Sequence, residues 1–134
     1  MSPWLEMILR LLLATALGAG IGYQRERAGK AAGLRTHILI TLGAALFTVV
    51  SIFGFSGAVD PSRVAAGVVA GVGFIGAGVI FRGMRREGVA GLTTAASIWV
   101  SAAIGLAAGT GLYLISVIVT LITVGVLMIP KIHG

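Results

Sequence analysis

"AGLRTHILI" occupies residues 32–40 and "AGLTTAASI" occupies residues 90–98. Each copy follows a cluster of arginines. A shift of 58 positions also lays "GAGIGYQRER" (18–27) on "GAGVIFRGMR" (76–85). Over residues 18–45 against 76–103, 11 of 28 positions are identical, including Leu, Arg, Thr and Ile as well as the small residues that match by bias. The chain therefore reads as a duplicated unit of helix, basic loop and helix.

Composition names the solvent. Of 134 residues, 57% are hydrophobic and only 10% are charged. Soluble domains carry about 25% charged residues. The mean hydropathy of +1.07 points the same way, to the bilayer. The 21 glycines fit helices packed backbone to backbone. There is no Cys, which excludes disulfides, thiolate chemistry and Cys-ligated metals. Ala14-Thr15-Ala16 has the A-x-A form of a cleavage site, but no basic start precedes it, and Glu6 and Arg10 interrupt the apolar run.

A membrane-crossing helix needs about 20 mainly apolar residues. Five spans are predicted, at about 4–23, 36–55, 61–81, 92–108 and 112–129. The repeat covers about 6–53 and 64–111, and the fifth helix stands outside it. Arg25, Arg27, Lys30 and Arg35 fill the first connection, and Arg82, Arg85 and Arg86 the third. The positive-inside rule puts these connections and the C-terminus in the cytoplasm and the N-terminus outside. Both units then enter the membrane from the same side, so the repeat is parallel. Asp60-Pro61 reads as a helix cap with Pro at the first position. Thr36 and the Thr93-Thr94 pair are expected where the second and fourth helices begin, as caps.

The fold class is thus an all-α integral membrane protein in one domain, 1–134. The net charge of +6 is spent in short loops, which sets nucleic acid aside as a partner. The bilayer and its anionic lipids are the expected partners, with a homo-oligomer, a dimer in particular.

Two groups of residues carry chemistry. Gln24, Arg25, Glu26, Arg27, Arg35, Thr36, Arg82, Thr93 and Thr94 gather two helix N-termini and a basic surface, a site for an anion or an acidic partner. The alternative is topology and lipid attraction alone. Glu6, Arg10, Asp60 and Arg63 form an outer-side charge cluster, either a structural clasp or an entry site for an ion. Ala14, Gly18, Gly22, Gly67, Gly71 and Gly76 form small-residue stripes for packing or for lining a pore. Trp99, mid-helix among small residues, is expected to fill space. His37 reads as an interfacial polar residue or a proton relay. Arg35, within the turn, is expected to matter more than Arg86. No catalytic motif, cofactor site or metal site is evident, so an enzyme is not expected.

"IGYQRERAGKAAGLRTHILITLGAALF", "DPSRVAAGVVAGVGFIGAGVI" and "GLTTAASIWVSAAIGLAAGTGLY" together resemble the membrane domain of the MgtC/SapB family. The resemblance implies a bacterial inner-membrane protein of adaptation to magnesium limitation, virulence-related in some pathogens. It also implies a role in binding or regulating a membrane complex such as the F-type ATP synthase. The alternative is a small oligomeric transporter or channel. A dedicated Mg²⁺ carrier is disfavoured by the four acids, each with Arg nearby. Many members carry a cytoplasmic ACT-like domain after the fifth helix, which is not expected here. Where the family usually reads G-x-E-R, this chain reads Gly22-Tyr23-Gln24-Arg25, a neutral isostere in place of the acid.

Overall fold

The computed structural model describes residues 2–55, 57, 60–87 and 91–130, with side chains throughout except in 82–87. Five helices follow in order: α1 Pro3–Arg27, α2 Leu34–Phe53, α3 Ser62–Glu87, α4 Leu92–Gly109 and α5 Tyr113–Leu127. The first, second and fourth, with residues 62–81 of α3, are long and apolar enough to cross a membrane. α5 is shorter than its apolar sequence led us to expect: 15 residues rise about 22 Å, so the apolar residues after it must complete a crossing of about 30 Å.

Helix starts follow local chemistry. Ser2 accepts the Leu5 N–H at 3.2 Å, with Pro3 in the first turn of α1. Asp60 accepts both the amide and the hydroxyl of Ser62, at 3.0 and 2.7 Å, and so opens α3. The threonine caps do not form as expected. α2 and α4 begin two residues or one residue earlier, at Leu34 and Leu92, behind Gly33 and Gly91, which carry no capping side chain. Glu26 instead reaches across the loop to accept the Leu34 N–H at 2.9 Å. Gly91 sits at φ +93°, a backbone conformation costly for any residue with a Cβ.

α2 and α4 run side by side and form the centre. A Cβ on Gly105 would strike the Thr41 backbone, and one on Gly109 would lie 2.8 Å from the Ala45 oxygen. α1 closes over α2 in the same way: Gly18 lies against Thr41, the His37 carbonyl and Ile38, and Gly22 against Leu34. Ala14, Ala45 and Ala108 then meet at the junction of α1, α2 and α4. In lipid, apolar burial gives no drive toward association, so backbone approach and interhelical bonds must supply it.

The repeat is visible as packing. Gly18 meets His37, and 58 residues on, Gly76 meets Ala95, with its nearest Cβ contact at 3.6 Å. The second unit is the looser. α3 leans on α4 and on the small cluster of Ala44, Val68 and Ala102, and most of its surface is exposed. Gly67 and Gly71, expected to pack, would have nothing within 4 Å of a Cβ added there and instead line a groove between α2 and α3. Trp99 is 55% exposed on the outside of α4, because the interior there is filled by backbone contact and has no room for an indole.

Gly105→Val forces α4 off α2 and should cost about 1–3 kcal/mol by overpacking. Gly71→Val should leave stability near the parent value. Thermal unfolding of the two variants in detergent micelles checks the difference; equal melting points would mean that the α2–α4 contact is not the organising one.

Candidate functional site

The bundle has two chemically different ends. At one, α1 begins, α4 ends and α5 begins. Glu6 and Arg10 pair at 3.1 Å, the one ion pair among the described residues. Arg10 also donates to the Gly109 carbonyl at 3.0 Å and lies 5.0 Å above the Phe53 ring. Tyr113 donates its hydroxyl to Glu6. One guanidinium thus ties α1 to α2 and α4, and its carboxylate partner ties in α5. Asp60 and Arg63 do not join this group by any ion pair. Asp60 is committed to Ser62, whose hydroxyl and amide hold its carboxyl below the usual carboxylate range.

At the other end, α1 runs into the basic loop. Arg25 is 4% exposed. Its Nη2 donates to the Ala31 carbonyl at 3.0 Å and to the Thr94 hydroxyl, while Nε has no partner. Arg25, not Arg35, therefore holds the turn; Arg35 is exposed. The change follows from helix phase: Arg25 lies one turn beyond buried Ile21 and Gly22, on the face that α1 presents to its neighbours. Gln24 donates to the Leu127 carbonyl at 3.4 Å, and its Oε1 is buried without a partner. Arg27 turns outward onto Tyr23, 3.1 Å from its hydroxyl. Thr36 is half-buried in the first turn of α2, and Thr93 is exposed. The side chain of Arg82 lies outside the described residues.

The structure thus brings Gln24, Arg25, Thr93 and Thr94 together around one cleft of about 890 Å³, joined by Lys30. Glu26 is spent on the loop. The cleft lies between the C-terminal ends of α1 and α5 and the N-terminus of α4.

The full burial of one residue escaped sequence reasoning. His37 is fully buried, with Nδ1 2.9 Å from the Gly33 carbonyl and Nε2 2.9 Å from the Ser97 hydroxyl. A carbonyl only accepts, so Nδ1 carries the proton, while the one hydroxyl proton of Ser97 has two acceptors in reach, Nε2 and the Thr94 carbonyl at 2.7 Å. The clue was in the repeat: His37 matches Ala95, a position that faces the interior in both units. Among the described residues, no three His, Asp or Glu side chains come together as a metal site would require.

A helical bundle with apolar spans, a clasped end and a basic cleft defines a multi-pass membrane protein. The MgtC family model matches residues 11–133. The chain belongs to the MgtC family. It is 50% identical over 129 residues to the protein named "Putative magnesium transporter YhiD" of Escherichia coli K12, covering 91% of this chain and 59% of that one. It is 45% identical over 131 residues to protein SrpB of Synechococcus elongatus, covering 90% and 72%. Protein MgtC of Brucella abortus is 45% identical over 115 residues, covering 84% and 46%. The chain thus spans about half to three-fifths of YhiD and this MgtC. No solved structure matches it.

Two outcomes are expected. Arg25→Ala should lower the melting point more than Arg35→Ala, because it frees the Ala31 carbonyl and Thr94 together; an equal effect would put the turn elsewhere. Asp60 carries a lowered pKa, so its support of the first turn of α3 is present above the ordinary carboxylate range and lost as pH falls through the lowered value. Amide exchange at Ser62 should accelerate across that window in the parent and lack the step in Asp60→Asn.

Proposed function

We propose that the chain is an inner-membrane regulatory protein of adaptation to magnesium limitation, with its basic end in the cytoplasm, acting by binding a membrane complex. The F-type ATP synthase is the partner that the family resemblance implies. One observation carries this reading. α3 stands away from α2, and the groove between them, about 670 Å³, is lined by Gly43, Gly67 and Gly71 with Leu39, Phe47 and Ile75. A wall of small residues flanked by large apolar ones is what a transmembrane helix of a partner needs for close approach. The name of the Escherichia coli relative, a putative magnesium transporter, adds the link to magnesium.

The test compares the parent with the double variant Gly67→Leu, Gly71→Leu, both purified from membranes in mild detergent. The parent should bring the ATP synthase with it. The variant should lose most of that complex while melting at the parent's temperature. Saturable ion flux in liposomes by the purified parent, abolished by Asp60→Ala and unaffected by the groove variant, would refute binding in favour of transport.

A further inference from the structure

We propose that His37 is a proton switch for the basic end of the bundle: a proton taken up on its Nε2 drives the Arg25 guanidinium off Thr94 into the adjoining cleft and parts the 28–33 loop from α4. The switch depends neither on the α2–α3 groove nor on which side of the membrane this end faces.

The ring is placed to change its charge without moving. It is fully buried in the first turn of α2. Nδ1 donates to the Gly33 carbonyl at 2.9 Å, and Nε2 lies 2.9 Å from the Ser97 hydroxyl of α4. The Thr94 carbonyl, 2.7 Å from the same hydroxyl, is a second acceptor for its proton. In a neutral ring the Ser97 proton turns to Nε2. In an imidazolium Nε2–H donates to the Ser97 oxygen, and the Ser97 proton turns to Thr94. Both states keep the ring's two hydrogen bonds and differ by one hydroxyl rotation.

What the charged state lacks is a counter-ion. From α1 the ring meets Arg25, whose charge reaches it. α4 carries no titratable residue, and the one on α5, Tyr113, stands at the clasped end with Arg63 of α3. Arg35 of α2 and Lys30 of the loop are exposed, and Glu26 is engaged by the Leu34 amide. An imidazolium therefore adds a second cation beside Arg25 with no carboxylate between them, and in a poorly polarisable interior the two repel.

Arg25 is the partner that can leave. It sits in the last turn of α1 and is held by two uncharged oxygens, the Ala31 carbonyl and the Thr94 hydroxyl. It already lines the cleft of about 890 Å³. Thr94 joins the two events, because it offers its carbonyl to Ser97 and its hydroxyl to Arg25. Departure of the guanidinium undoes this link from α1 to α4 and the tie to the loop together. The coupling has one sign. Closure favours the neutral ring, so the closed end is held at high pH and lost as pH falls through the range in which the ring titrates.

The test follows the full chain in nanodiscs from about pH 8 to about pH 5, the range in which histidine charges. The chain has no Cys and two His. A His133→Asn background therefore assigns the ring nitrogen NMR signal to His37. Spin labels on Lys30→Cys and Thr93→Cys, both at exposed positions, report the distance between loop and α4. The distance should widen over the same pH interval in which the ring titrates. His37→Gln should abolish the pH response. Ser97→Ala, which removes the acceptor of Nε2–H, should move both transitions to an about tenfold higher proton concentration, the worth of one hydrogen bond to a charged group. A ring that stays neutral throughout, a distance that holds while the ring titrates, or transitions unmoved in Ser97→Ala overturns the proposal.

Discussion

The close approach of three backbones around Thr41 governs this molecule. Gly18 of α1 and Gly105 of α4 both abut Thr41 of α2, from two sides. No larger residue fits at either glycine without moving a helix. With the helices this close, dispersion between backbones and short interhelical bonds can replace the hydrophobic drive that lipid removes. The registers of α1, α2 and α4 are then fixed. Everything at the two ends is a consequence: Arg10 lands on Gly109, Arg25 on Thr94, and His37 on Ser97.

The duplication explains why one half is tight and the other open. Gly18 and Gly76 occupy the same place in their units, and each faces the same position of the following helix. In the first unit that position is His37, whose ring passes on to α4. In the second it is Ala95, which stops at contact distance. α2 lies between α1 and α4 and is gripped from both sides. α3 has α4 behind it and only a thin line of contact with α2. The same pattern thus yields a core in one copy and a bilayer-facing groove in the other.

Much of this was legible in the sequence because apolar runs and loop charges report directly on the bilayer. Helix number, the repeat and the pairing of Glu6 with Arg10 all follow from spacing within one helix. What spacing does not carry is which helix lies beside which. Gly67 and Gly71 look like Gly18 and Gly22 along the chain, yet only the latter pair meets a neighbour. Thr36 has the chemistry of a cap, but Glu26, eight residues before Leu34, reaches the amide first because the loop folds back on itself at Ala32, φ +56°. Trp99 was misplaced for the same reason: a large side chain among alanines fills a gap only if the facing helix leaves one.

Two guanidiniums, Arg10 half-buried and Arg25 buried, show how one side chain can serve opposite ends. Arg10 has a carboxylate, a carbonyl and an aromatic face, so its charge and its donors are accounted for within the chain. Its geometry is that of a rivet. Arg25 has one carbonyl and one hydroxyl, neither of them charged, and a donor left over. Evenly packed membrane interiors do not carry such a residue cheaply. The larger difference is in what stands opposite. At the Arg10 end, Glu6 sits one turn away on the same helix. At the Arg25 end, the residue beside it is a glutamine whose oxygen is itself unmatched. Arg25 Nε and Gln24 Oε1 are thus both enclosed by the chain and left without a hydrogen bond there. The basic end therefore differs from the clasped end in enclosing a guanidinium that is held by uncharged groups alone among the described side chains.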